Sequence, residues 1–215
     1  MTSWQGTSTA EPHVVCCGLT TLDLVYEVDS PPTPDQKVVA RDLFVDVGGP
    51  AANAARVAHA LGCRVTLVTA LGSGPLAVVL RDRLAGIEVE DVAPPGHRPP
   101  VSTALVSGGS RAVVSMNATR LSSPSDPIVR GNVDALLVDG HLMGPAITLA
   151  SAARHAGITV VLDGGSWKEG TWDLLPQVVV AAVSADFTLP SGGDVLAGLL
   201  NAGAAAAVRT NGPDP

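Results

Sequence analysis

The sequence has 215 residues, of which 46% are hydrophobic and 15% are charged, and its formal net charge is −7. A chain of this length can bury a sizeable core as one α/β domain. The acidic balance and the lack of a basic run argue against nucleic acid and membrane surfaces as partners. No apolar run approaches the ~18 residues of a membrane helix, and the N-terminus has no signal-peptide core. We therefore expect a cytoplasmic protein.

Three cysteines indicate the redox state of the chain. Cys16 and Cys17 are adjacent, so on a strand they point to opposite faces and cannot easily pair with each other. With Cys63 the count is odd, which favours reduced thiols. No histidine or cysteine has the spacing of a metal ligand, and we predict no metal site in the chain itself.

The first buried strand is predicted over residues 14–19. Asp23 follows it and is expected just past the carboxyl end of that strand, where open α/β sheets place their ligands. A carboxylate there can accept two hydrogen bonds from sugar hydroxyls. The alternative is a turn aspartate that bonds its own backbone. Two further short strands are predicted over residues 24–28 and 38–45, around a proline-rich loop.

Residues 48–62 begin with two glycines and continue as an alanine-rich helix. Pro50 suits the first helical position, and Gly62 suits a left-handed cap at the end. The spacing predicts an apolar face formed by four residues, namely Ala54, Val57, Ala58 and Leu61. Asn53 is the polar exception in the first turn. It either bonds a ligand or bonds the local backbone, and spacing alone does not decide between the two.

The segment Gly48-Gly49-Pro50-Ala51-Ala52-Asn53-Ala54-Ala55 resembles the first signature of the ribokinase-like (PfkB) family of carbohydrate kinases. This resemblance implies that Gly48, Gly49 and Asn53 contact sugar hydroxyls, and that Asp23 is the sugar-binding aspartate after the first strand. It also implies a ribokinase-like fold, with strands inside residues 24–47 and 101–116 forming a small β lid over the sugar.

A second glycine-rich turn follows a strand predicted over residues 64–71 and precedes a helix predicted over residues 75–85. Residues 72–77 fit a dinucleotide fingerprint, with Glu88, Glu90 and Asp91 at a tolerable distance. The pattern occurs after a later strand and stands alone, so a tight strand-to-helix turn is the favoured interpretation. The less favoured one is an NAD(P)-dependent oxidoreductase.

Residues 101–106 and 111–116 flank Gly108-Gly109-Ser110 and predict a hairpin. Arg111 leaves this turn. The resemblance to the PfkB family implies that Arg111 could contact a phosphate or a substrate group, as an arginine in this region does in some members. An isolated hairpin arginine is more often solvated.

Strands and helices alternate from residue 134 onward. Strands are predicted over residues 135–138, 158–162, 178–183 and 204–209, with a helix over residues 145–156. This rhythm predicts a mainly parallel sheet with helices on both faces. Asp139, Asp163 and Asp186 fall at carboxyl ends and are expected to rim one crevice, with Asp139 as a candidate phosphate or substrate contact.

The resemblance implies ATP and Mg²⁺ as cofactors and a Gly-Ala-Gly-Asp motif that supplies the catalytic base and an anion hole. Only Ser191-Gly192-Gly193-Asp194 approaches this motif, and it lacks the first glycine. It also precedes residues 207–212, which resemble the family strand that comes before the true motif. We therefore expect residues 1–215 to form one α/β domain that is incomplete at its C-terminus. The base is expected beyond Pro215, and the 215-residue chain alone is expected to be inactive.

The sequence thus favours an ATP-dependent carbohydrate kinase that acts on a sugar hydroxyl. The alternatives are a non-catalytic sugar-binding or sensing protein of the same fold and, less favoured, the oxidoreductase. The expected partners are a small-molecule sugar and, through the lid, a second copy of the chain.

Overall fold

A computed structural model describes residues 11–116 and 124–212 of the chain. Its strands within those ranges are β1 (His13–Cys17), β2 (Thr21–Glu27), β3 (Asp42–Gly48), β4 (Arg64–Thr69), β5 (Glu88–Asp91), β6 (Val101–Ser107), β7 (Ser110–Ser115), β8 (Ala135–Val138), β9 (Thr159–Gly164), β10 (Val180–Ser184) and β11 (Ala206–Thr210). The helices are α1 (Pro50–Ala60), α2 (Pro75–Arg83), α3 (Met143–His155), α4 (Thr171–Leu174) and α5 (Val195–Asn201). None of these helices has the length and apolar character needed to cross a membrane.

The main sheet has seven strands in the order β11-β10-β9-β8-β1-β4-β5. All six neighbouring pairs run parallel, as the alternation of strands and helices predicted. β1 lies near the middle of the sheet, with Val14 paired to Val65 on one side and to Ala135 on the other. The carboxyl ends of β1, β8 and β9 are therefore neighbours at one edge of the sheet, and the loops that leave them converge.

Helices cover both faces of this sheet, so each face has its own apolar core. Cys16 packs in the core under α1 and α2, whereas Cys17 packs in the core formed with α3, α4 and α5. Successive residues of a strand point to opposite faces, which is why the adjacent cysteines separate. All three cysteines are free thiols, as predicted.

The second sheet has four strands in the order β3-β2-β6-β7 and corresponds to the predicted lid. β2 pairs antiparallel with β3 and parallel with β6, and β6 and β7 form the predicted hairpin. The predicted bounds of the first two lid strands were wrong. β2 begins at Thr21 and β3 runs on to Gly48, because the two strands stay paired up to the position where Thr21 faces Gly48. Asp23 is consequently the third residue of a strand and does not lie in a turn.

Helix α1 begins at Pro50 as predicted, and Gly62 follows its end with a φ of 87°. The predicted apolar face was right for Ala54 and Ala58, which pack against the core, and wrong for Val57 and Leu61. The residues without exposed surface are Ala51, Ala52 and Ala55, whereas Val57 and Leu61 are 59% and 78% exposed. Alanine alone faces the sheet because α1 packs closely on β1 and β4, and larger side chains do not fit there.

Candidate functional site

The carboxylate of Asp23 lies directly against Gly48. The two residues sit on the paired strands β2 and β3, two positions apart in register. A Cβ atom on Gly48 would overlap the carboxyl group of Asp23, so the glycine provides the space that this side chain occupies. The hydroxyl of Thr21 donates a 2.7 Å hydrogen bond to Asp23 Oδ1, which fixes the carboxylate and leaves Oδ2 for another donor.

Gly49 and Asn53 complete this corner at the start of α1. Gly49 is the residue before the helix, with a φ of 98°, and a Cβ atom there would overlap the carbonyl oxygen of Leu19. The second glycine therefore allows α1 to begin against the β1–β2 loop. The N–H of Asn53 donates to the Gly49 carbonyl at 2.9 Å, and its side chain is exposed in the first turn. Among the described residues, the side-chain amide of Asn53 has no hydrogen bond to the local backbone, which disfavours the alternative that Asn53 only bonds that backbone.

Asp139 lies beneath this corner, and its side chain has no exposed surface. It follows β8 directly, and its oxygens accept three backbone hydrogen bonds. Oδ2 accepts the N–H of Leu19 at 2.8 Å and that of Ala51 at 3.1 Å. Oδ1 accepts the N–H of His141 at 2.9 Å. The carboxylate thus joins the β1–β2 loop, the start of α1 and the end of β8. The predicted role as a direct phosphate or substrate contact does not fit a carboxylate with no surface.

Two further ionisable side chains lie near Asp139, on the side of β9. Burial raises the pKa of Asp163, and the negative charge of Asp139 raises it further, while His141 and Lys168 act in the opposite direction. Burial lowers the pKa of Lys168, and the charges of Asp139 and Asp163 oppose that shift. Asp163 is thus near enough to Asp139 for the charge of Asp139 to raise its pKa. The third predicted member of the crevice, Asp186, is exposed, and its N–H bonds the Ser184 hydroxyl.

Neither His141 nor Lys168 is among the site residues predicted from the sequence. The signal was present in both cases. His141 comes two residues after Asp139 at the carboxyl end of a strand, and Lys168 is one of only two lysines in the chain, following the Gly164-Gly165 turn. Both line a cavity of about 440 Å³ between the ends of β8 and β9.

Arg111 lies away from this corner. It is the second residue of β7 and is exposed. Its partner is Val106, which in turn faces Glu27 on β2, four residues beyond Asp23. At roughly 3.3 Å per residue this separation is about 13 Å along the strand. The structure therefore does not bring Arg111 together with Asp23, because Arg111 belongs to the distal end of the lid. A cavity of about 570 Å³ also lies at that end, between Val28, Phe44 and Gly108.

Residues 72–77 connect β4 to α2 as a turn bonded to the rest of the protein, which agrees with the interpretation as a tight strand-to-helix turn. The carboxylate of Asp91 accepts the N–H groups of Leu71 and Gly72, both at 3.0 Å, and pairs with Arg81. A Cβ atom on Gly72 would overlap the carbonyl oxygen of His97. Asp91, one of the three acidic candidates for a dinucleotide ribose, is thus already bonded to this turn.

Asp194 serves as the N-cap of α5. Its Oδ1 accepts the N–H of Ala197 at 2.9 Å, and the residue is exposed. This hydrogen bond gives Asp194 a structural role at the start of a seven-residue helix, consistent with the view that Ser191-Gly192-Gly193-Asp194 is not a catalytic motif.

A family model described as "pfkB family carbohydrate kinase" matches residues 11–186. The chain belongs to this family. The match includes the corner formed by Asp23, Gly48, Gly49 and Asn53, and it extends through β10.

Solved structures share the PfkB fold. A microbiome-derived acarbose kinase, Mak1, is 20% identical with a TM-score of 0.73, covering 94% of this chain and 71% of its own. An Arabidopsis thaliana ribokinase solved with ribose and ATP is 16% identical with a TM-score of 0.69, covering 93% of this chain and 72% of its own. A structure assigned as a ribokinase from Agrobacterium tumefaciens is 24% identical with a TM-score of 0.68, covering 81% of this chain and 60% of its own. This chain therefore spans about 60% to 72% of the length of these kinases.

Proposed function

We propose that this chain is the sugar-binding part of an ATP-dependent carbohydrate kinase that phosphorylates a hydroxyl of a sugar or sugar-like substrate. The observation that supports this most is the placement of Asp23 against Gly48, beside the exposed Asn53 in the first turn of α1. Membership of the PfkB family gives the reaction class.

The proposed binding mode follows from the hydrogen-bonding capacity of each group. Asp23 Oδ2 accepts a hydrogen bond from a sugar hydroxyl, since Oδ1 already accepts one from the Thr21 hydroxyl. The Asn53 amide offers a donor and an acceptor to neighbouring hydroxyls, and the two glycines let the sugar approach the backbone. Asp139 acts from below by holding the backbone of Leu19 and Ala51, and so positions the two segments that carry these groups.

ATP and Mg²⁺ are the proposed cofactors, and a solved ribokinase with ATP supports the nucleotide. Bound MgATP would supply the phosphoryl group and neutralise its charge. The described residues do not by themselves fit its phosphates, since Asp194 caps a short helix. We propose that the 215-residue chain binds sugar without turnover.

Calorimetric titration of the 215-residue chain with a panel of neutral sugars tests the binding half of this proposal. We expect one sugar class to bind saturably, and binding to weaken in Asn53→Ala, with Asn201→Ala as a matched control in an exposed position. Release of ADP by the complete gene product in the presence of MgATP tests the reaction. Sugar binding with no ADP release from that product would favour the sensing alternative, and failure to bind any sugar would contradict the proposal.

The lid sheet supports a second proposal, namely that two copies of the chain associate through it. Its edge strands β3 and β7 carry exposed apolar side chains, with Phe44 55% and Val114 78% exposed. A sheet with open, apolar edges is a template for pairing with another sheet, and most soluble oligomers are formed from identical chains. Light scattering should give the mass of a dimer for the native chain and of a monomer for Val114→Asp. A monomeric native chain would contradict the proposal.

A further inference from the structure

The chain passes from the main sheet to the lid through three residues, Gly18, Leu19 and Thr20, which lie between β1 and β2. Asp23 follows this connection by three residues, so its position depends on how the connection is held. Asp139 holds it from the side of β8, by accepting the N–H of Leu19 at 2.8 Å. On the other side of β1, toward β4, the connection is held by uncharged groups.

Two buried threonines form this second attachment. Thr69 is the last residue of β4, and Thr69 and Thr20 are each 1% exposed. The side chain of Thr69 follows that of Leu67 on the strand face that packs in the core under α1 and α2. A hydroxyl in such surroundings costs free energy unless it is hydrogen-bonded. Thr69 Oγ1 lies 2.8 Å from the carbonyl oxygen of Gly18 and 2.9 Å from Thr20 Oγ1.

Only one arrangement of the hydroxyl protons satisfies both contacts. The Gly18 carbonyl oxygen can only accept, so the Thr69 hydroxyl donates to it. Thr69 then has no second proton to donate, and the Thr20 hydroxyl must donate to Thr69 Oγ1. The N–H of Gly18 donates to the Val68 carbonyl at 3.0 Å. Strand β4 therefore binds both backbone polar groups of Gly18 and, through Thr69, the side chain of Thr20.

The surroundings leave the connection no second position. The space beside the two hydroxyls measures about 10 Å³, which holds at most one water and no side chain. On the opposite side, a Cβ atom on Gly18 would overlap the carboxyl group of Asp139. Gly18 is thus fixed between Thr69 and Asp139, and the direction in which the chain leaves the main sheet is fixed with it.

Thr20 is bonded covalently to the residue that orients Asp23. The hydroxyl of Thr21, the first residue of β2, donates to Asp23 Oδ1 at 2.7 Å. The next N–H along the strand, that of Leu22, donates to the Pro100 carbonyl at 2.9 Å. A displacement of Thr20 therefore moves Thr21 and, through its hydroxyl, the carboxylate of Asp23.

We infer that Thr69 and Thr20 are positioning residues that set the orientation of the Asp23 carboxylate without touching the sugar. The functional part of this inference rests on the proposed function, in which Asp23 binds the sugar. Burial keeps both hydroxyls away from any ligand, so they act through Thr21. A pair of hydroxyls that only stabilises the fold would change stability and leave the affinity for sugar unaltered.

The first test compares Thr69→Val with Thr66→Val. Both variants lose a buried hydroxyl from β4, and Thr66, which is 2% exposed, also bonds two partners, His13 and Glu88, but lies nearer the other end of the strand. We expect both to lose stability in urea unfolding. Only Thr69→Val should weaken sugar binding in calorimetry, by about 2- to 12-fold, the factor for one net hydrogen bond. Equal sugar affinities in the two variants would overturn the inference.

Two milder variants separate positioning from stability. Thr69→Ser keeps the hydroxyl and loses only a methyl group, so it should lose stability but retain the native affinity. Thr20→Val leaves the bond from Thr69 to Gly18 in place, and it should weaken sugar binding even though it removes a single hydrogen bond. It also keeps the test decisive if Thr69→Val does not fold. An affinity that follows stability across these two variants would assign the pair a structural role and overturn the inference.

A measurement without sugar separates this inference from the proposed function. The amide resonance of Asp23 in a ¹H–¹⁵N spectrum should shift in Thr69→Val and stay in place in Thr66→Val. A shifted Asp23 amide in a chain whose native form binds no sugar would contradict the proposed function alone. Sugar binding by the native chain, with an Asp23 amide that stays in place in Thr69→Val, would contradict the inference alone.

Discussion

Replacement of Asp139 by asparagine tests the view that this residue organises the site from beneath. The carboxylate has no exposed surface and accepts the N–H groups of Leu19, Ala51 and His141. Asparagine has the same shape but only one acceptor oxygen. If that oxygen keeps the bonds to Leu19 and Ala51, the new NH₂ group faces the N–H of His141, and two donors then oppose each other.

The magnitude follows from these contacts. One hydrogen bond to a charged group is lost, which costs about 1.5–3 kcal/mol, and the other two become neutral and weaken by about 1 kcal/mol each. Relief from burying a charge offsets part of this loss. We expect the free energy of unfolding to fall by about 2–4 kcal/mol. Binding of the sugar should weaken as well, because the loop at Leu19 and the start of α1 lose their shared anchor.

Urea unfolding followed by tryptophan fluorescence measures the stability, since Trp167 and Trp172 pack together in the structure. The matched control is Asp186→Asn, at another aspartate beyond the end of a strand but with an exposed side chain. Its effect should stay within about 0.5 kcal/mol. If Asp139→Asn unfolds like that control and only loses sugar binding, then Asp139 contacts the ligand directly and our reasoning is wrong.

Three further predictions concern the thiols, a helix cap and pH. Burial, with a contribution from Asp139, raises the pKa of Cys16 to about 12. A thiol reagent should therefore modify Cys63 in the native chain and Cys16 only after unfolding, and rapid labelling that persists in Cys63→Ser would contradict this. Asp194→Ala should cost about 1 kcal/mol of stability, the value of an N-cap, and leave sugar binding unchanged in calorimetry, whereas lost binding would give Asp194 a functional role. Because the folded state raises the pKa of Asp163, the native protein binds this proton more tightly than the unfolded chain, and its free energy of unfolding falls as pH rises from the usual carboxyl range through the raised value. Urea titrations should therefore show that Asp163→Asn becomes more stable relative to the native chain over that pH range. A difference in the free energy of unfolding that does not change with pH would refute this.

The sequence was a sufficient guide to the architecture because its signals are local. The parallel sheet, the two covered faces and the hairpin at Gly108-Gly109 all follow from alternation, strand length and turn residues. The buried face of α1 was not predictable from spacing. Apolar residues such as Val57 fit the helical period, but the close approach of α1 to β1 and β4 selects the alanines instead.

Only part of the candidate site could likewise be predicted from local sequence patterns. A motif of eight residues pointed to Gly48, Gly49 and Asn53, and the structure adds a contact between Gly48 and Asp23 that depends on strand register. The buried role of Asp139 and the position of Lys168 depend on which loops meet at the ends of β1, β8 and β9. These contacts join residues more than 100 positions apart in the sequence, such as Leu19 and Asp139, so no local sequence pattern predicts them.

The most direct test of the central claim is the calorimetric affinity of the chain for its preferred sugar, compared between the native protein and Asp23→Asn. Loss of one hydrogen bond to a charged group should weaken binding by about 1.5–3 kcal/mol, or about 10- to 150-fold. The melting temperature should hardly change, because Asp23 is partly exposed and its hydrogen bond with Thr21 survives in the amide. An unaltered affinity together with a large loss of stability would show that Asp23 is a structural residue, and would contradict the assignment of the sugar site.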